Sequence, residues 1–278
     1  MVTVGGTGLD IALYMKRLRG SWQRLTHGAW QFRRPIDPSL RFETVGSEPV
    51  ERTFFARQQN ETRRGKLMAF NNDDFHAPEG MRTDEFLLRP IRAIDAQLDY
   101  EAVMESKEFL RRWEQSGWPT DDFTVEANRE DMEKLERRHA TGETFTYTVL
   151  NTTGTQCFGC VYILPTTARW LSKAQITAID GAQWSAYEAA VLFWVRQSRL
   201  AEGLDRRLLD AIGPWLAHDW RIANHLIVTN EQFEQQVALI EGADLEIRFR
   251  LGYPNQPGNY LAYANDASGA QRIPPPMG

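Results

Sequence analysis

Residues 189–195 read AAVLFWV, seven apolar positions in succession, and a short loop carries them into a segment where Leu204, Leu208, Leu209, Ile212, Trp215 and Leu216 recur at helical spacing. The first segment has the length and composition of a strand, and the second is an amphipathic helix over 200–220. A strand delivered straight into a helix that must pack back onto its sheet is the unit of an α/β architecture. Neither an all-helical bundle nor a β-sandwich accommodates it.

The surrounding text agrees with that reading. Residues 86–94 alternate apolar and polar and predict a strand. Residues 99–115 carry Tyr100, Val103, Met104 and Leu110 at helical spacing, with Asp99 placed to cap the start. Beyond the turn at 117–119, a second helix is expected with Asn128 as its cap, Asp131 at the third position beyond it, and Met132 and Leu135 facing inward. Residues 144–150 and 156–164 are strand-like and are joined by Asn151-Thr152-Thr153-Gly154, a hairpin signal. Residues 166–188 read as a long connection. A strand at 225–228, a helix at 231–241 with Phe233, Val237 and Ile240 inward, and strands at 245–251 and 259–263 complete the chain. The order β-α-α-β-β-β-α-β-α-β-β specifies an α/β protein around a mixed sheet.

Charge divides the 278 residues unevenly. Residues 1–67 hold 12 Lys and Arg against 6 Asp and Glu, a net of +6, whereas residues 68–278 hold 20 against 31, a net of −11. The division predicts a basic N-terminal extension, 1–67, ahead of an acidic domain, 68–278. Phosphate backbones repel an acidic body, so no nucleic-acid partner is expected for the domain. In the extension, Ile11, Met15, Leu18, Trp22 and Leu25 follow spacings of 4, 3, 4 and 3 and predict an amphipathic helix interrupted by Gly20. Its apolar stripe would pack on the rest of the chain or on a second copy, as in a homodimer; the alternatives are docking of the basic helix to a membrane surface or polyanion, and no fixed structure. Residues 35–66 read as a linker or weakly ordered arm. The glycines of VTVGGTG (2–8) follow only a three-residue strand and lack a distal acidic partner, which argues against a dinucleotide site.

Hydrophobic residues make up 42% and charged residues 25%, the composition of a soluble globular protein. No apolar run reaches the roughly 18 residues that would span a bilayer. The first 20 residues lack the apolar stretch of a secretory signal, and two cysteines cannot build a disulfide framework. A cytoplasmic location is therefore expected. Cys157-Phe-Gly-Cys160 has the C-x-x-C spacing of redox and zinc sites, but it lies in strand text, where positions i and i+3 point to opposite faces. The five histidines show no metal-ligand spacing, so no metal is expected.

The element order, the segment VRQSRLAEGLDRRLLDAI (195–212) and the hairpin text FTYTVLN…CFGCVYILP (145–165) together resemble the GNAT superfamily of acyl-CoA-dependent N-acyltransferases over about residues 84–264. The resemblance implies a mixed, mostly antiparallel central sheet flanked by helices. It also implies acetyl-CoA as co-substrate and an amine as acceptor, with direct acyl transfer between them. Val195 and Gly203 stand at the family spacing. Arg199, Leu204, Asp205 and Arg206, with Arg207, fall around the implied pyrophosphate site, where a helix N-terminus attracts the anion. Three positions depart from the pattern. Leu200 replaces the usual Gln or Arg, Asp205 replaces a small residue, and Ile240 stands where many members carry an acidic tyrosine.

Acyl transfer needs a base, oxyanion donors and an acid for the leaving thiolate. Glu188, just before the central strand, is the candidate base. Tyr147 and Tyr162 are candidate hydroxyls on neighbouring strands, with their facing set by register. Trp113 and Trp118 are candidates for an apolar acceptor wall. The departures at Leu200, Asp205 and Ile240 equally fit a catalytically inactive protein of the same fold that binds a ligand or partner.

Overall fold

The computed structural model describes Phe70 and residues 75–265, together with a short strand pair near the N-terminus. That pair, β1 (Gln23–Arg24) and β2 (Trp30–Gln31), is antiparallel and belongs to a separate unit, Ala12–Gly65. The helix expected over residues 11–25 lies outside the described residues except at its end, where Gln23–Arg24 is strand instead. The expected linker over 35–66 also lies outside them.

The domain is built on one nine-stranded sheet. Its strands are β3 (Met81–Arg82), β4 (Phe86–Pro90), β5 (Phe145–Asn151), β6 (Cys157–Pro165), β7 (Gln175–Ala178), β8 (Ala189–Val195), β9 (His225–Asn230), β10 (Glu246–Gly252) and β11 (Tyr260–Ala264). They lie in the order β3-β4-β5-β6-β8-β9-β11-β10-β7, and β8–β9 is the one parallel pair among them. The sheet is therefore mixed and mostly antiparallel. The helices are α1 (Ala96–Glu105), α2 (Lys107–Glu114), α3 (Val125–Ala140), the single turn α4 (Gln197–Leu200), α5 (Leu204–His218) and α6 (Glu234–Glu241).

Strand alternation distributes β8 between two cores. Val191, Phe193 and Val195 pack with Leu204, Leu208, Ile212 and Leu216 of α5, while Leu192 and Trp194 pack with Val103, Phe109, Leu110 and Trp113 of α1 and α2. Each fully buried leucine of α5 contributes on the order of 2 kcal/mol. Helices thus cover both faces, which explains why β8 carries no polar residue.

Several local expectations are corrected. The strand starting at Phe86 stops at Pro90, and Ile94 is 76% exposed in a following turn. The helix read over 99–115 is two helices, broken at Ser106, and begins at Ala96, so Asp99 lies buried in its first turn instead of capping it. Asn128 is not a cap either: Thr124 accepts from the Ala127 N–H and caps α3, while Asn128 is buried. The connection at 166–188 contains β7, which extends the sheet edge beside β10.

The C-x-x-C expectation fails for a clear reason. Val149 pairs with Gly159 but Leu150 pairs with Cys157, so Phe158 is an extra residue bulged out of β6. Gly159 adopts φ 148°, and a Cβ there would come within 2.0 Å of the Trp194 carbonyl oxygen. The bulge resets the alternation. Phe158 faces the α5 layer, whereas Cys157 and Cys160 both face α1.

Candidate active site

The parallel ladder between β8 and β9 is short. Its last pair is Val191 with Ile227, yet β8 continues to Val195 and β9 to Asn230. Beyond that pair the strands part. Into the gap comes Gln236 of α6, whose Nε2 donates to the Phe193 carbonyl at 2.9 Å. Its Oε1 accepts from Thr229 Oγ1 at 2.6 Å and from Trp113 Nε1 at 3.2 Å. Gln236, 3% exposed, therefore reaches from the α6 layer through the split to the α2 layer. Phe193 turns its carbonyl to the gap, and Val195, two residues on, faces the same way.

The loop after β8 ends at Gly203, which has φ 71° and stands at the N-terminus of α5 with no side chain capping it. Leu204 is buried, so only its backbone is available there. Asp205 occupies part of this helix end: Oδ1 accepts from the first-turn Arg206 N–H, and Oδ2 accepts from Gln235 Nε2 at 2.5 Å. The three arginines are each engaged. Arg199 pairs with Glu202 at 2.9 Å, Arg206 with Asp210 at 2.9 Å, and Arg207 with Glu85 at 2.5 Å. Such surface pairs are worth at most about 1 kcal/mol each, so a diphosphate can displace them. The Arg199 guanidinium also lies 4.7 Å from the Phe158 ring centroid, which holds it beside the loop. The residues that could hold a diphosphate here are the Gly203–Leu204 backbone at the α5 N-terminus and the arginines beside it, with Asp205 on one first-turn N–H and Gln236 on the Phe193 carbonyl.

Glu105, at the end of α1, anchors this loop. It receives the Ser198 N–H at 3.0 Å and the Arg196 guanidinium at 2.6 Å. Burial would raise its carboxyl, but those donors hold it down at about 2.

The candidate catalytic residues separate. Tyr162 faces the α1 and α2 layer and lies across the β6–β8 ladder from Leu192, the first residue of β8 past its last pair with β9. Its hydroxyl accepts from Trp194 Nε1 at 3.1 Å, and burial pushes its pKa well above the ordinary tyrosine range. Tyr147 is on the opposite face, packed edge-on against Trp215, with its hydroxyl donating to Pro78 O at 2.6 Å. Glu188 precedes β8 at its paired end, and the six-residue advance from it to Trp194 spans roughly 20 Å. Trp113 packs 6.1 Å from the Tyr162 ring. Trp118 lines a cavity between α1, α3 and the sheet that also includes Asp99, Cys160, Tyr162 and Trp194.

The sequence reading assigns no site role to two buried carboxylates: Asp99, expected as a helix cap, and Glu114. Asp99 is 5% exposed and Glu114 8% exposed, and burial raises both above the usual carboxylate range. A signal for Asp99 existed: it shares a helical face with Ala96, Ala102 and Val103, which are all buried. Among the described residues no group of three or more His, Cys, Asp or Glu is placed to hold a metal, and no helix is long and apolar enough to cross a membrane.

This architecture recurs in solved structures. A Vibrio cholerae protein assigned as a ribosomal-protein-serine acetyltransferase matches 66% of this chain and 95% of its own at 13% identity, with a TM-score of 0.50. RimL, a ribosomal L7/L12 α-N-protein acetyltransferase, matches 67% of this chain and 94% of its own at 17% identity, TM-score 0.48. The microcin C7 self-immunity acetyltransferase MccE, solved with acetyl-CoA and AMP, matches 67% and 96% at 14% identity, TM-score 0.49. No protein-family model matches the sequence, and no curated protein matches it. At these identities the correspondence is one of fold: the domain has the fold of the GNAT acetyltransferases.

Proposed function

We propose that the protein is an N-acyltransferase that draws an acyl group from acyl-CoA, acetyl-CoA foremost, and gives it to an amine. The observation that carries this reading is the split between β8 and β9, where the strands part beyond Val191 and Ile227 directly before the N-terminus of α5; a pantetheine arm bonding to Phe193 O would replace Gln236 there. A thioester supplies an acyl carbon activated towards amines. The chain's part is to hold the donor along β8, anchor its diphosphate between Arg199, Arg207 and the α5 N-terminus, and exclude water from the split.

In the transfer, the amine nitrogen bonds to the acyl carbon and the carbon–sulfur bond breaks. The proton lost by nitrogen ends on the departing sulfur. Tyr162 is the proposed proton donor, a reading supported by burial, which favours its protonated hydroxyl, and by its position across the β6–β8 ladder from Leu192, the first residue past the last β8–β9 pair. Ile240 is core, so the role that many relatives of the fold assign to a tyrosine there passes to another group. Tyr147 has its hydroxyl committed to Pro78 O on the opposite face from Tyr162, and Glu188 stands at the paired end of β8, so neither is given a direct role.

The test is transfer itself. The full chain is incubated with acetyl-CoA and a panel of primary amines, and acylated amine and free thiol are followed by mass spectrometry. The reading expects both products in equal amounts, with at least tenfold loss in Tyr162→Phe. Thiol release without acylated amine, or no release with any amine, contradicts it.

A further inference from the structure

The gap between β8 and β9 already holds an amide. Gln236 Nε2 donates to the Phe193 carbonyl at 2.9 Å, and Oε1 accepts from Thr229 Oγ1 at 2.6 Å and from Trp113 Nε1 at 3.2 Å. One amide thus joins the edge of β8 to donors on β9 and α2. The residue is 3% exposed, so its stem and its amide fill the space between the parted strands. Phe193 O has a second lone pair, but a chain laid along β8 at this level needs the room that Gln236 takes. The bonds of that amide are the ones a secondary amide offers. An N–H in the place of Nε2 serves Phe193 O, and a carbonyl oxygen in the place of Oε1 serves Thr229 and Trp113. An ester or an alkyl chain brings no donor, and its entry leaves Phe193 O unpaired at the cost that buried polar groups incur. The pantetheine arm of an acyl-CoA carries secondary amides.

The same turn of helix reaches the other end of the donor site. Gln235, beside Gln236 in the first turn of α6, donates from Nε2 to Asp205 Oδ2, while Asp205 Oδ1 accepts from the Arg206 N–H. Adjacent glutamines of α6 therefore tie down both groups that stand in the donor's place: the amide on Phe193 O, and the carboxylate at the head of α5.

We propose that Gln236 is an autoinhibitory plug: its amide occupies the seat of a pantetheine amide, and acyl-CoA enters only by exchanging one amide for the other. The proposal rests on the transferase reading for the identity of the ligand, whereas the exchange is testable with an amide ligand that lacks the diphosphate. The resting protein is held in the plugged form. The donor's apparent affinity is lowered by the small fraction of molecules whose Gln236 has swung out, and removing the plug removes that penalty.

The experiment titrates the full chain calorimetrically, unaltered and as Gln236→Ala and Gln236→Asn, with D-pantetheine and with acetyl-CoA. Both variants clear the seat, because alanine deletes the amide and asparagine is one methylene too short to span the gap. The expected result is binding of both ligands at least tenfold tighter in each folded variant than in the unaltered protein. A folded variant that binds neither ligand more tightly overturns the proposal. Stopped-flow mixing of the unaltered protein with acetyl-CoA decides the matter if neither variant folds. The observed rate should level off with ligand concentration, because exit of the plug limits entry; a linear rise throughout, or no binding signal, overturns the proposal. Tighter pantetheine binding by the variants, with no acetyl-CoA binding by any of the proteins, contradicts the transferase reading and leaves the plug intact. Acetyl-CoA binding of equal strength in all of them, with pantetheine binding no tighter in the variants, does the reverse.

Discussion

The side-chain amide of Gln236 donates to the backbone carbonyl of Phe193 at 2.9 Å, spanning the gap where β8 and β9 part. A bond that in a regular sheet would come from β9 is made here by a helix. Gln236 therefore fills the split and satisfies the polar groups that the parting strands leave there. Gln236→Leu keeps the volume but leaves Phe193 O and the donors on Thr229 and Trp113 without partners. Unpaired buried groups cost about 1–3 kcal/mol each. Urea unfolding should show a loss of roughly 3 kcal/mol, and a loss below about 1 kcal/mol would mean that the split closes without it.

The bulge in β6 makes a sharper demand on Gly159. Alanine there would place Cβ 2.0 Å from the Trp194 carbonyl oxygen at a φ of 148°. The strand must shift or the bulge must move, at a cost of several kcal/mol. Gly159→Ala should lower the unfolding midpoint far more than Gly154→Ala, whose Cβ meets nothing within 4 Å. Comparable midpoints for the two variants would contradict the assigned register.

Much of the fold is legible in the sequence because its cues are local. The apolar run 189–195, the hairpin turn at Asn151–Gly154 and the stripe from Leu204 to Leu216 each name one element by periodicity alone, and each stands in the structure within a few residues. The misreadings share a different cause. Asp99 and Asn128 are residue types that cap helices, yet each is paired with the other across two helices, and a partner 29 positions away leaves no mark on local spacing. The split is likewise invisible in sequence, because the residues that part, 192–195, are as apolar as those that pair. The C-x-x-C pair was misplaced because alternation counts residues, and Phe158 takes a place in the count without taking one in the ladder.

That shared face has a chemical consequence. Burial and the nearby Asp99 push both thiols well above the ordinary cysteine range, so neither forms appreciable thiolate near neutrality. A disulfide reagent at pH 8 should titrate no thiol in the native protein over minutes and both thiols in denaturant. Rapid labelling of the native chain would show that the layer over β6 opens readily.

Acid stability should fall in two stages. The His225 imidazole is lowered to about 4 by burial, so the folded state holds it neutral while the unfolded chain binds a proton below about 6.5. Its contribution is complete above pH 6.5 and is lost as pH falls towards 4. Glu105, held at about 2 against burial by Arg196 and Ser198, contributes fully above about 4.5 and is lost as pH falls towards 2. Stability measured against pH should therefore decline below 6.5, with His225→Gln flattening the upper stage and Glu105→Gln the lower. A profile flat from pH 7 to 4 in the unaltered protein would contradict the His225 assignment.

The central claim is that the split and the α5 N-terminus form a CoA site despite Asp205 and the engaged arginines. Calorimetric titration of the full chain with acetyl-CoA, repeated on Gly203→Val, tests it most directly. At Gly203 a β-branched side chain is strained at φ 71° and crowds the helix end. The account predicts one saturable site in the unaltered protein and at least tenfold weaker binding in the variant. No saturable binding at millimolar acetyl-CoA, or equal binding by both proteins, would contradict it.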